Sequence, residues 1–316
     1  MTVTTVVAGL AVPTEPCAVW TRASGLSAMG SASYSPGGVI LIPWPLPWPR
    51  DVRDIPELAE VVARAEAAGV RPLLALPVRA DQQPVVCLYR ATASQDRVEE
   101  LARTERSCER DGIVAAAMEL LDGAASDSNR VVVDLVVCTH GRRDRCCGSS
   151  GTRLAAEVGA AVPDSVRVWR SSHHGGHRFA PTALLLPNGT SWGNLDVDSA
   201  LDVVHHRGDP SMLAERLRGS IAMEDSRLQM IDAAGFRLHG WEWLRAPRAH
   251  AVLRANHVGL TAELRTGTVR CEGLVAEREP VEVPPCAGSG KPTAHPVWEV
   301  LACRSRPVEP SPAYGQ

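Results

Sequence analysis

Val131-Val132-Val133-Asp134-Leu135-Val136-Val137 is a near-continuous apolar run, and Cys138-Thr139-His140-Gly141-Arg142-Arg143-Asp144-Arg145-Cys146-Cys147-Gly148 follows it directly. Such a run reads as a strand covered on both faces, the habit of strands in parallel sheets. Working outward, residues 152–161 predict a helix that Ser149 or Ser150 caps and Pro163 stops. Residues 166–170 form the next strand, and Ser172-His173-His174-Gly175-Gly176-His177-Arg178-Phe179 forms the loop after it. Residues 181–187 and 190–195 flank Asn188-Gly189 and predict a hairpin, because Asn-Gly tolerates the positive φ of a tight turn. The unit is β-α-β-β.

The same order is legible upstream. Residues 38–43 read as a buried strand, residues 55–68 as a helix ended by Gly69, and residues 71–78 and 84–89 as strands. Trp44-Pro45-Leu46-Pro47-Trp48-Pro49 fits neither helix nor central strand, since alternate residues lack the N–H. A helix is predicted over 111–121, and further helices over 198–206 and 212–234. Antiparallel strands are predicted over 248–254, 260–265, 268–275 and 297–302. The expected class is therefore α/β, with two β-α-β-β halves followed by a C-terminal helical and antiparallel-strand region. The expected division is 1–125 without ligands, 126–210 bearing the site, and 211–316 accessory. Residues 1–36 read as irregular and the tail after Arg304 as loose.

The composition sets limits. With 316 residues, 45% hydrophobic and 22% charged, the chain can bury a large core and suits two lobes. Two Phe and three Tyr against eight Trp leave that core to aliphatic side chains and tryptophan. A net charge of −3 gives no general attraction to nucleic acid. Lys291 is the only lysine, so nearly every fixed cation is a planar arginine fork suited to carboxylates and phosphates. Nine cysteines are an odd number without disulfide-like spacing, and no apolar run reaches membrane-spanning length. No basic segment precedes the apolar residues 6–10. The expectation is a reducing, cytoplasmic compartment, where clustered cysteines are metal ligands or redox groups.

Cys138 and Cys147 are spaced C-x8-C, one at a strand end and one before a helix N-terminus, which favours the thiolate that metals bind. His173 and His177 are spaced H-x3-H around Gly175-Gly176, a loop that can fold both rings toward one centre. Two thiolates and two imidazoles make a four-donor set. Zinc would accept it, and so would a [2Fe–2S] cluster with two ligands per iron. The supporting residues are His140, Asp144, Cys146, Gly148 and Gly176, with Asp144 expected to fix its loop through backbone N–H bonds. His174 is expected to face solvent, and Arg142, Arg143, Arg145 and Arg178 to ring the site. Cys17, Cys87, Cys108, Cys271, Cys286 and Cys303 read as ordinary cysteines.

Cys-Thr-His-Gly-x-Arg-Asp-x-x-Cys-Gly followed by Ser-His-x-Gly-Gly-His-Arg-Phe resembles the sucrase/ferredoxin-like family, to which the yeast actin-patch-distal protein also belongs. The likeness is close over residues 130–195, looser over the following helical segment and Pro285-Cys286-Ala287-Gly288, and weak over 1–110. It implies a thioredoxin-like ferredoxin fold and a [2Fe–2S] cluster on Cys138, Cys147, His173 and His177. Cys146 beside Cys147 departs from the eukaryotic pattern, and Cys147 is chosen because it precedes the motif glycine. The implied activity is one-electron transfer between unidentified redox donor and acceptor proteins. An oxidised cluster on four thiolates carries two negative charges, whereas exchanging two of them for neutral imidazoles makes it neutral. The potential then rises, as in Rieske centres at about −150 to +300 mV against about −400 mV for plant-type ferredoxins. The ring nitrogens also couple the electron to a proton. Two alternatives remain, a zinc-stabilised interaction module and a thiol–disulfide oxidoreductase. The latter lacks a Cys-x-x-Cys, and a vicinal Cys146–Cys147 disulfide would be strained.

Overall fold

The computed structural model describes residues 16–79, 84–92, 96–126, 132–286 and 291–308. Val131 therefore lies outside the described residues, as do the last two residues of the Pro285-Cys286-Ala287-Gly288 stretch. A short helix, α1 (Cys17–Ala23), precedes β1 (Gly38–Pro43), α2 (Ala59–Ala67), β2 (Val70–Pro77) and β3 (Val85–Arg90). Then come β4 (Arg97–Val98), β5 (Ala102–Ser107), α3 (Ile113–Leu121), β6 (Val133–Cys138), α4 (Thr152–Ala161), β7 (Val166–Ser171), β8 (Ala183–Leu186) and β9 (Thr190–Trp192).

The two units have one topology. In the first, β1 is parallel to β2 and antiparallel to β3, which pairs with β5. In the second, β6 is parallel to β7 and antiparallel to β8, which pairs with β9. They join where β2 and β7 run antiparallel, at Ala75↔Ser171, Leu76↔Arg170 and Pro77↔Trp169. One mixed sheet results, ordered β10-β9-β8-β6-β7-β2-β1-β3-β5, with β10 (Leu217–Ser220) at its edge. The α/β class with two β-α-β-β halves is as the sequence implied, and it is consistent with a thioredoxin-like fold.

The alternation of side chains along each strand assigns three cores. Ile40 and Ile42 of β1 meet α2 and α3 on one face. Leu135 and Val137 of β6 meet Leu154, Ala155 and Val158 of α4. The sheet curls so that its remaining face packs on itself, bringing Val39, Leu41 and Tyr89 against Val136, Trp169, Leu184 and Leu186.

The C-terminal region departs from expectation. After α5 (Val197–Val204) and α6 (Pro210–Leu213), residues 217–220 are strand β10 inside the stretch expected to be one helix over 212–234. Gly219 takes φ 130, and the strand pairs with β9 through Gly219↔Ser191 and Ser220↔Thr190. The helix restarts as α7 (Ser226–His239), where Asp225 accepts from the Arg227 N–H at 2.8 Å. Helix α8 (Trp241–Arg245) and strands β11 (Arg248–Arg254), β12 (His257–Leu264), β13 (Gly267–Val283) and β14 (Thr293–Pro307) follow. The last four strands and β4 form a second, antiparallel sheet. Strand β14 reaches Pro307, so residues 305–307 are not loose. Strand β5 escaped the sequence reading because Ala102–Ser107 is largely polar and gives no apolar alternation. Helix α1 lies within the stretch expected to be irregular. The β8–β9 loop is longer than a two-residue turn, since Leu185 pairs with Thr190, and among its residues only Gly189 takes positive φ, at 74°.

Candidate metal centre

Parallel pairing decides where the chemistry falls. Strands β6 and β7 run side by side with Cys138 opposite Ser171, so the loops leaving their C-terminal ends emerge together. The cysteine loop enters a π-helical turn, Cys147–Gly151, that continues into α4. Ser149 and Ser150 do not cap this helix. Their hydroxyls donate backward to the Arg145 and Cys146 carbonyls at 3.1 and 2.6 Å, because the helical run already begins before them. Gly148 is required by contact: a Cβ there would lie 2.4 Å from the Gly141 Cα.

The donor atoms of Cys138, Cys147 and His173 all lie within 4.8 Å of one another. Cys138 Sγ stands 3.8 Å from His173 Nδ1. His177 belongs to an adjoining group with Asp144 and Cys286, and its Nδ1 is 3.3 Å from Cys17 Sγ. Asp144 spans the two groups. Its carboxylate is 3.1 Å from His173 Nδ1 and 3.3 Å from His177 Nδ1, so it serves the two imidazoles, where the sequence led to an expectation of backbone N–H bonds. The two imidazole centroids are 6.1 Å apart. Cys146 points away from Cys147 toward a third group, 3.5 Å from Cys17 Sγ and 3.4 Å from Cys286 Sγ.

The buried sulfurs share their protons. A hydrogen bond with Cys147 holds Cys138 well below its ordinary value despite full burial, and His173 adds to the effect. The same bond pushes Cys147 up. Cys286 is likewise held far down by contacts with Cys146 and Cys17, while Cys17 is pushed up.

The loop around the histidines is anchored from below. His140 is buried, and its Nδ1 lies 3.3 Å from the His173 N–H that can donate to it. Its ring meets Trp48 edge-on at 6.0 Å. His174 is buried, contrary to its expected exposure, because Gly175 (φ 95) and Gly176 (φ 76) turn the chain inward there. Burial lowers its pKa to about 4 and keeps it neutral. Arg71 donates to the His174 carbonyl at 3.1 Å. Arg218, fully buried in β10, donates to the Gly175 carbonyl at 3.3 Å and to Ser191 Oγ at 2.9 Å. Any Cβ on Gly176 would lie 2.3 Å from its guanidinium carbon. Arg142, Arg143 and Arg145 form an exposed rim, and Arg178 donates to Thr293 at 3.2 Å. A cavity of about 560 Å³ opens beside His140 and His173, lined also by Arg50, Arg71 and Arg143.

Residues 39–219 match the model of the sucrase/ferredoxin-like family, a span that takes in both β-α-β-β units but for Gly38, and all but the last residue of β10. The chain belongs to the sucrase/ferredoxin-like family. No curated protein and no solved structure matches it. The sucrase/ferredoxin-like name, together with the Cys/His groups, points to a bound metal or metal cluster. Three residues beside the site were missed from sequence. Cys17 and Cys286 stand 129 and 140 residues from Cys146, beyond any spacing motif. Only the loose sucrase/ferredoxin-like likeness around Pro285-Cys286 hinted at the second. Arg218 was hidden by the misassigned helix.

Proposed function

We propose that Cys138, Cys147, His173 and His177 hold a [2Fe–2S] cluster and that the protein is a proton-coupled one-electron carrier. The observation that carries this reading is the convergence of the Cys138 and Cys147 thiols with the His173 imidazole at the ends of two parallel strands, with His177 in an adjoining group that shares Asp144. The donor set fits the group: the sulfurs of Cys138 and Cys147 lie within 4.8 Å of each other and of a His173 ring nitrogen, and both imidazoles turn their Nδ1 atoms toward a common carboxylate. When bound, the cluster supplies reversible one-electron chemistry, which the amino acids here lack.

The chain's own residues then do three things. His140 and Arg218 fix the histidine loop through its backbone. Asp144 offers an acceptor within hydrogen-bond distance of both rings, a partner for a proton on either imidazole. Arg142, Arg143 and Arg145 present positive charge for an acidic redox partner. All nine cysteines are free thiols, which suits a reducing cytoplasmic compartment.

The test is spectroscopic. The protein purified without oxygen is expected to be red-brown, and His173→Cys or His177→Cys to keep the colour while lowering the midpoint potential by on the order of 100 mV. A colourless protein carrying zinc at these residues would overturn the reading in favour of a structural module.

A further inference from the structure

Three of the cysteines outside the proposed cluster ligands form a constellation of their own. Cys17 opens α1, Cys146 begins the turn before α4, and Cys286 follows β13. Their sulfurs are mutually within 4.8 Å, with Cys146 Sγ 3.5 Å from Cys17 Sγ and 3.4 Å from Cys286 Sγ. A disulfide would hold two sulfurs at about 2.05 Å and leave the third apart. Three thiolates on one ion with metal–sulfur bonds of about 2.3 Å lie roughly 3.8 Å apart, close to the spacing here. We propose that Cys17, Cys146 and Cys286 form a second metal site, a three-thiolate centre for one thiophilic closed-shell ion, zinc(II) or copper(I).

Three arguments support it. The donor chemistry is selective, because an all-sulfur set excludes hard cations and favours zinc and copper(I). Two of the three sulfurs are dry: Cys17 is 0% and Cys146 3% exposed, Ala18, Ala180 and Val283 pack around them, and Cys286 is partly buried at the edge. The connectivity gives the ion a task. It ties the N-terminal helix and the end of β13 to the turn that carries Cys147, three segments otherwise distant in sequence. Adjacent Cys146 and Cys147 then serve different centres, which gives the vicinal pair a use that a strained disulfide does not. The choice between ions rests on a fourth donor. His177 Nδ1, 3.3 Å from Cys17 Sγ, completes a tetrahedron for zinc when it is not held by iron, while copper(I) is satisfied by the three sulfurs.

The test uses the full chain purified without oxygen, with iron, sulfide, zinc and copper measured per chain before and after incubation with zinc(II) or with copper(I) under reductant. The wild type is expected to hold one zinc or one copper in addition to its iron, the preferred ion being the one retained through desalting. Cys17→Ser with Cys286→Ser is expected to lose that ion while iron, sulfide and visible spectrum stay as in the wild type. Cys138→Ser is expected to lose iron and keep the second ion. For a readout independent of whether the double variant folds, cobalt(II) added to the wild type should develop the thiolate-to-metal absorption of a sulfur-rich site. The proposal fails if the wild type takes up neither ion. It also fails if the double variant loses iron together with the second metal, which would make these cysteines part of the cluster site. A Cys17–Cys146 or Cys146–Cys286 disulfide in the anaerobic protein would overturn it as well.

Discussion

The Asp144 carboxylate reaches Nδ1 of His173 at 3.1 Å and of His177 at 3.3 Å from a loop that supplies Cys147 three residues later. A carboxylate this close to the proposed centre opposes the uptake of an electron there. Asp144→Asn keeps the shape and removes the charge. The visible spectrum is expected to persist and the midpoint potential to rise. Protein-film voltammetry measures this, and an unmoved potential would place the carboxylate outside the centre's influence. Gly148 poses a steric question instead. Its Cβ would sit 2.4 Å from the Gly141 Cα, a backbone atom that cannot swing aside. Gly148→Ala is therefore expected to destabilise by about 1–3 kcal/mol and to reduce iron retention, both read from thermal unfolding and metal content. At this scale the sequence was informative. The motif pairs fell at strand ends because apolar runs led into them, and Gly148 and Gly176 stood where backbone or guanidinium leaves no room. Cys17 and Cys286 were illegible because tertiary folding alone, and no local period, joins residues 129 and 140 positions away from Cys146.

Elements with one buried face and a clear stop were readable: β1 was expected at its observed residues, and α4 runs to the residue before Val162 and Pro163. Strand β10 was not, since Met212, Leu213, Leu217, Ile221 and Leu228 mimic a helical stripe, and only the pairing with β9 reveals the strand. Helix α5 carries a pH signature at its end. His206 takes φ 49 and stacks on Trp241 of α8 at 5.1 Å, and burial, with Arg245 nearby, lowers its pKa to about 4. In the unfolded chain the ring titrates at its ordinary value of 6.5. Between those values the unfolded state binds more protons, so stability falls as pH drops from about 6.5 toward 4. His206→Phe keeps an aromatic stack and is expected to flatten this fall. Urea unfolding at neutral and mildly acidic pH gives the comparison, and equal slopes in the two proteins would show that other groups govern it.

Across the whole molecule, the two β-α-β-β units meet through the β2–β7 pairing, apolar packing and a buried ionic knot. Asp134 of β6 is fully buried. It accepts from Arg167 Nε at 2.7 Å, from Trp169 Nε1 at 2.5 Å and from the Tyr89 hydroxyl of β3 in the other unit. Arg167 also reaches Glu105 of β5 at 3.0 Å and the buried Cys87 thiol at 3.4 Å, crossing the same seam. Building such a knot costs desolvation, so its net contribution is small, but removing one member leaves the rest uncompensated in a dry interior. Asp134→Ala strands the Tyr89 and Trp169 donors and takes one of two carboxylate partners from Arg167, and a cost of about 3–5 kcal/mol follows. Asp134→Asn, which keeps the size and an acceptor oxygen but not the charge, should cost less. Because the knot holds both units, the loss is expected to displace the entire unfolding curve. The proposed cluster site lies on the β6–β7 side of the seam, so iron content and tryptophan fluorescence followed through one urea titration distinguish the two behaviours. Coincident midpoints, both shifted to lower urea in Asp134→Ala, fit units that unfold as one body. A fluorescence transition that moves while iron release stays at its wild-type midpoint would mean that the cluster-bearing unit holds itself together without the seam.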